Sequence, residues 1–228
     1  MTNSPTNYKI ARVLRSKEDA IISYDRLSNW YDWLAGTSEW QFTQAGMEML
    51  NVQPGESVLE VGYGTGKALK ALALDVGPEG YVAGIDISTG MMAVARKRLQ
   101  DEGLQDVVDL HCGDALDLPF ASDLFDAVFI SFTLELFDTP EIPVLLTACK
   151  NIMHDNGRLV IVAMAKRKHE NLMQCLYNWA HISIPNYADC RPIYTIESVL
   201  QAGYRVKTIL NKTMWGLPVE VVLAYIPV

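Results

Sequence analysis

Three carboxylates and three glycines are the residues of this chain best placed for chemistry. Glu60 stands just ahead of Gly62, Gly64 and Gly66 in SVLEVGYGTGKAL, and Asp86 and Asp114 each close a later apolar run. Glycines at alternate positions let a backbone turn sharply and let a ligand approach with no Cβ between them. Carboxylates at the ends of successive strands can accept hydrogen bonds from sugar hydroxyls and from a ring amino group. The pattern predicts a nucleotide-like ligand lying over Gly62–Gly66.

Position separates the competing motifs. A phosphate-cradling loop of the form G-x-x-x-x-G-K-S/T fails at two places, because Val61 holds the first glycine position and Ala68 replaces the hydroxyl that would bind Mg²⁺. The dinucleotide pattern G-x-G-x-x-G requires glycine where this chain has Lys67, and that glycine is what permits close helix–strand packing beside a pyrophosphate. What remains is acidic-x-G-x-G-x-G, Glu60 to Gly66, which has room for an adenosyl group without a pyrophosphate site. An acid at one strand end is usually a turn former or helix cap; three of them beside a glycine turn make a stronger signal.

These residues need elements to hold them. Val58–Val61 reads as a strand and Lys67–Leu74 as the helix after the turn. Tyr81–Ile85 is a second strand, and Gly90–Glu102 a helix that Ser88 or Thr89 can cap and Gly103 ends. Val107–Cys112 and the almost wholly apolar Phe125–Phe132 are further strands. A helix over Pro140–Met153 and a fifth strand over Arg158–Ala165 follow. This alternation predicts a parallel sheet covered by helices on both faces. Upstream, Lys17–Leu34 and Glu39–Leu50 read as helices, the first rich in aromatics that serve either as core or as a lid over a ligand. After Ala165 the rhythm breaks: a helix-like Lys168–Ala180, an irregular stretch to Pro192, a short helix Thr195–Gln201, then Tyr204–Lys212 and Val219–Ile226 as an antiparallel pair at the sheet edge.

Composition bounds the function. The chain has 228 residues, half of them apolar, and a net charge of -8, which suits one domain with a sizeable core and argues against a nucleic-acid partner. Its four cysteines include no C-x-x-C pair, so metal-ligand spacing is lacking and free thiols of a reducing compartment are the expectation. No apolar run reaches membrane-spanning length and the first residues lack a signal core, so a cytoplasmic protein is expected.

The stretches VLEVGYGTGKAL, VAGIDIS, GDALDLPF, FDAVFISFTLELF and NGRLVIVAM, in that order over Val58–Met164, resemble class I S-adenosylmethionine-dependent methyltransferases. YDRLSNWYDWLAGTSEWQF, together with LPF, SFTL and the GMM helix start, is similar to the ubiquinone/menaquinone-biosynthesis C-methyltransferase group. NYADCRPIY looks more like phospholipid N-methylating members, and Glu135-Leu136-Phe137 stands where the quinone group carries R-N-x. The resemblance implies a Rossmann-like α/β fold: a seven-stranded, mostly parallel sheet with an antiparallel last strand, helices on both faces and an N-terminal helical lid. It implies an arm and lid over residues 1–50 and a cofactor-binding domain over 51–228, with a substrate-cap insertion at about 166–192.

By position the resemblance also implies roles. Gly62, Tyr63, Gly64 and Gly66 would line the methionine portion of S-adenosylmethionine, and Glu60 would position the turn and the methionyl amine. Asp86 would take the ribose, Asp114 and Ala115 the adenine, Ile87 and Met91 or Met92 the ring faces, and Ser131 would lie beside the methionyl group. Tyr24, Tyr31 and His181 are candidates to hold the acceptor or take its proton, with Glu135 and Asp189 as further ones; for His169 and His181 a surface or capping role is the plainer reading. The acceptor pocket is expected between the N-terminal aromatics (Trp30, Tyr31, Trp33) and the insertion (Met173, Tyr177, Trp179, Tyr187), with Phe132 and Leu134. Such a pocket suits a small apolar acceptor, a quinone-precursor ring or a lipid, the last implying peripheral membrane contact; the aromatics equally suit an amine by cation–π contact. A domain that binds the cofactor without transferring a methyl, and a nicotinamide-dependent oxidoreductase, are the competing classes.

Overall fold

The computed structural model of the chain describes residues 13, 17–27, 36–167 and 191–227. Helices α1 (Lys17–Leu27) and α2 (Gly36–Leu50) lead into β1 (Ser57–Val61), α3 (Lys67–Val76), β2 (Tyr81–Asp86), α4 (Thr89–Asp101), β3 (Val108–Cys112) and β4 (Phe125–Ser131). A 3₁₀ turn (Leu134–Leu136), α5 (Ile142–Ile152), β5 (Met153–Met164), α6 (Thr195–Gln201), β6 (Arg205–Met214) and β7 (Leu217–Tyr225) complete the order.

Among the described residues the seven strands form one sheet, ordered β3-β2-β1-β4-β5-β7-β6. Strands β1 to β5 pair in parallel, β7 runs antiparallel to β5, and β6 pairs antiparallel with β7 at the edge. The chain begins at the centre, moves outward through β2 and β3, and returns to β4 on the other side of β1. The carboxyl ends of β1 and β4 therefore flank the switch point, where such sheets open a crevice.

The strands read as continuous apolar runs because both faces are covered. Val58, Val82, Phe129, Val160 and Val162 pack toward α2, α3 and α4 with Phe42, Leu69, Leu72 and Leu99. Their alternates Leu59, Val61, Ile85, Val128, Ile130 and Ile161 pack toward α5 and α6 with Leu145, Leu146, Cys149 and Val199. A side-chain period of two along each strand is what divides them.

The fold agrees with the expected class, and the differences are local. Helix α2 starts at Gly36 rather than Glu39. Strand β5 starts at Met153 rather than Arg158, and Asn156-Gly157 lies within it as an irregularity, Asn156 taking φ 65°. In the terminal hairpin Trp215-Gly216 makes the turn, both residues at positive φ, and β6 and β7 reach it from both sides. Helix α1 is described only to Leu27; the rest of the expected first helix, the aromatics Trp30, Tyr31 and Trp33, and the insertion over 168–190 lie outside the described residues.

Candidate active site

The turn after β1 is held open by its glycines. Gly62, Gly64 and Gly66 have φ of 74°, 51° and 74°, left-handed values that L side chains rarely adopt. Gly62 donates its amide to the Ile85 carbonyl at 2.8 Å, and a Cβ there would lie 2.3 Å from the Thr133 side chain. Gly64 differs: a Cβ would meet nothing within 4 Å, so open space stands in front of it. Arg98 from α4 braces the far side of the turn, donating to the Thr65 carbonyl at 2.8 Å and hydroxyl at 2.9 Å.

Asp86 joins two loops. Its Oδ2 accepts from the Gly64 amide and its Oδ1 from the Ser88 amide, each at 2.9 Å. Burial pushes its carboxyl above the ordinary range, and the amides of Ser88, Gly64 and Ile87 pull against that shift. Each oxygen retains a lone pair for a further donor. Ser88 in turn caps α4, its hydroxyl accepting from the Met91 amide at 3.0 Å, which fixes the cap between the two alternatives the sequence offered.

Glu60 is 3% exposed at the carboxyl end of β1. Burial drives its carboxyl well above the usual value, the nearby Asp86 charge adds to this, and a hydrogen bond from the Leu69 amide opposes it. Its Oε2 has no hydrogen-bond partner among the described residues. A buried carboxyl oxygen left in that state beside an open glycine turn fits a ligand that brings its own donor.

The remaining predicted residues gather on the same edge. Asp114 Oδ1 accepts from the Leu116 amide at 3.0 Å and Oδ2 from Lys17 Nζ at 2.6 Å. Ala115 and Met91 are buried and Ile87 is half-buried. The Tyr63 ring is turned onto the sheet and its hydroxyl donates to the His111 carbonyl at 3.2 Å. Ser131 ends β4, with its hydroxyl 2.9 Å from that of Thr43 on α2. Tyr24 lies on α1 with its side chain outside the described residues, and Tyr31 and His181 lie outside them altogether, as do His169 and Asp189.

Five further residues shape the site: Lys17, Asp25, Thr43, Arg98 and Thr133. Asp25 belongs to the YD of the family-like stretch and so carried a sequence signal. Thr133 lies in the SFTL stretch and carried one too. Lys17, Thr43 and Arg98 carried none, because each reaches its partner only by tertiary packing. Lys67, which a phosphate loop would aim at its ligand, lies 4.1 Å over the Trp40 ring instead.

Sheet order, glycine turn and strand-end acids define a class, and comparison with known proteins agrees with it. Residues 58–157 match the family profile described as a methyltransferase domain. The chain has the class I S-adenosylmethionine-dependent methyltransferase fold and resembles the menaquinone-pathway group. A demethylmenaquinone methyltransferase of Halalkalibacterium halodurans is 39% identical over 114 residues, 50% of this chain and 45% of that protein. The chain thus spans about half the length of this curated relative, and 58% to 64% of others with the same name. Among solved structures, a SAM-dependent methyltransferase from Aquifex aeolicus superposes with a TM-score of 0.67 at 20% identity, covering 88% of this chain and 98% of that one. The cyclase SpnF superposes with a TM-score of 0.75 at 16% identity, covering 94% and 98%. Both structural likenesses speak for the fold. Among the described residues no helix is long and apolar enough to cross a membrane.

Proposed function

We propose that this chain transfers a methyl group from S-adenosylmethionine to a small apolar acceptor, a quinone-precursor ring or a lipid. The observation that carries the reading is the set of three carboxylates at or just past the carboxyl ends of the adjacent strands β1, β2 and β3, Glu60, Asp86 and Asp114, with the open Gly64 turn following the first and bonded to the second. When bound, S-adenosylmethionine supplies a methyl made electrophilic by its sulfonium.

The chain's own groups do the rest. Asp86 accepts from the ribose hydroxyls through its remaining lone pairs, and Asp114 and the Ala115 amide read the adenine edge. Ile87 and Met91 pack against its faces. Gly62, Tyr63 (through its backbone), Gly64 and Gly66 form the seat of the methionine end. Glu60 holds the methionyl amine, and Ser131 stands beside it. Phe132 and Phe42, in edge-to-face contact with centroids 6.3 Å apart, supply apolar wall next to the transfer position. Such a wall excludes water while the acceptor is aligned for in-line attack. Tyr24, Tyr31 and His181 are the proposed acceptor contacts, with residues 1–50 as lid and 166–192 as cap.

The names of the curated relatives support a quinol-type ring as acceptor, and NYADCRPIY supports a lipid amine as the second reading. No nucleic-acid partner is proposed. One neighbour of the same fold is named a cyclase, so transfer itself needs a direct test. Calorimetry should show S-adenosylhomocysteine binding and no NAD binding; preference for NAD overturns the cofactor. Tritium from labelled S-adenosylmethionine should pass to a demethylated quinol or to a lipid extract, and the labelled species tells ring from amine. Tight binding with no transfer to either would overturn the enzyme reading in favour of a binding domain.

A further inference from the structure

Helix α1 is tied at both ends to the loops that form the site. At its start Lys17 Nζ lies 2.6 Å from Asp114 Oδ2 and 3.1 Å from Glu141 Oε1. Just upstream the Val13 amide donates to Asp138 Oδ1 at 3.3 Å. Near its end Asp25 accepts from the Ser88 hydroxyl at 2.6 Å, the Gly90 amide at 2.8 Å and the Thr89 hydroxyl at 3.4 Å. Those partners follow β2, β3 and β4, so one short helix is fastened to all three loops.

Two details make the contact a fitted one. A Cβ on Gly90 would fall 2.9 Å from the Asp25 Cα, so α1 rests on the first turn of α4 where a larger residue would hold it away. Hydrogen bonds from Ser88, Gly90 and Thr89 keep the Asp25 carboxyl below its ordinary value despite some burial, so an anion lies beside the Ser88 cap at the positive end of α4. Yet the fastening is polar and half-exposed, with the Lys17 and Asp114 side chains 41% and 36% accessible. Ion pairs of this kind are weak and salt-sensitive, suited to being made and broken.

The Lys17 contact also falls on a residue with another task. Asp114 is the carboxylate assigned above to the adenine amino group, so Lys17 and the ligand share it: Oδ1 accepts from Leu116 and Oδ2 from Lys17, and each oxygen keeps a lone pair for a further donor. We propose that Lys17 and Asp25 latch α1 to the three loops of the cofactor site, and that α1 lifts and reseats as cofactor enters and product leaves. This rests on the proposed cofactor site. It makes α1 the element that sets how fast cofactor enters and product leaves.

The test uses the full chain with Lys17→Met and Asp25→Asn. Both variants should fold, since Ser88 still caps α4 and Lys17 is peripheral; thermal melts verify this. Stopped-flow mixing with S-adenosylhomocysteine should show association and dissociation about fivefold faster in each, the rate equivalent of one such contact. Salt should speed association in the native chain and have less effect in Lys17→Met. In the ligand-free protein, amide hydrogen exchange across α1 should be faster in both variants. Unchanged rates with unchanged exchange overturn the latch. Should the native chain bind no S-adenosylhomocysteine, the cofactor site fails, and exchange alone decides the latch: unchanged protection of α1 overturns it, faster exchange upholds it.

Discussion

Replacing Gly64 with alanine separates a binding role for the glycine turn from a folding role. Gly64 has φ 51° and open space where a Cβ would go. The folded state therefore bears only the left-handed backbone strain of a non-glycine residue, about 1–2 kcal/mol. For a domain of this size that lowers Tm by roughly 2–4 °C per kcal/mol. Gly103, at the end of α4, is a matched control, with φ 68° and again nothing within 4 Å of its Cβ position. Both alanine variants should melt a few degrees below the native chain. They should part in calorimetry with S-adenosylhomocysteine. A methyl group filling the space in front of Gly64 should weaken binding by about 1–3 kcal/mol, the usual result of forcing an extra carbon into a fitted site. That corresponds to roughly 5- to 150-fold in Kd. Gly103→Ala should bind as the native chain does. Native-like affinity in Gly64→Ala, or an equal loss in both, would refute the placement of the ligand over the turn. Gly62→Ala is the wrong substitution for the purpose, since its Cβ would meet Thr133 at 2.3 Å and damage the turn directly.

Asp86→Ala should weaken S-adenosylhomocysteine binding by about 1–3 kcal/mol through buried donors left unmatched, with Asp86→Asn in between because its one oxygen serves one amide. The Asp86 carboxyl is raised in the fold, so at low pH, with the group protonated in both folded and unfolded chains, its charge exacts no penalty. Thermal melts should show the native chain losing stability relative to Asp86→Asn as pH climbs above the usual aspartate value; a pH-independent difference would contradict the burial argument. Glu56 has the opposite sign. Burial would raise it, but the Arg158 contacts at 2.5 Å and 2.9 Å and the Gln53 amide outweigh that and hold it below the ordinary range. Its stabilisation is present above the ordinary glutamate value and lost as pH falls through the lowered one. Glu56→Gln should cost about 1–2 kcal/mol at neutral pH, as for a charge-assisted pair near the surface, and the gap should close in acid melts.

Much of the candidate site was legible because its pattern is local. The alternating glycines, the run Val58–Val61 before them and Lys67–Val76 after them form a strand, turn and helix within one short stretch. The acids at Asp86 and Asp114 could be read as strand ends because each follows its own apolar run. Apolar strands and helical repeats are properties of neighbouring residues, and so is the α4 cap, narrowed by sequence to Ser88 or Thr89. The start of β5, expected at Arg158 and found at Met153, was not legible, since Asn156-Gly157 is a turn-forming pair that also fits inside an irregular strand whose pairing with β4 and β7 is made elsewhere.

The sequence by itself set aside the phosphate-loop and dinucleotide patterns, at Val61, Lys67 and Ala68, and determined the alternation that makes a parallel sheet. Only the tertiary structure decided the rest. It placed β7 between β5 and β6, turned the Tyr63 ring onto the sheet, buried Glu60 with an unmatched oxygen, brought Arg98 and Thr133 to the turn, and set Thr43 against Ser131. It also laid Lys17 against Asp114 and Asp25 against Ser88, pairs separated by 97 and 63 residues in the chain. Contacts of that separation arise from packing, which follows from how whole elements bury their apolar faces rather than from any local pattern.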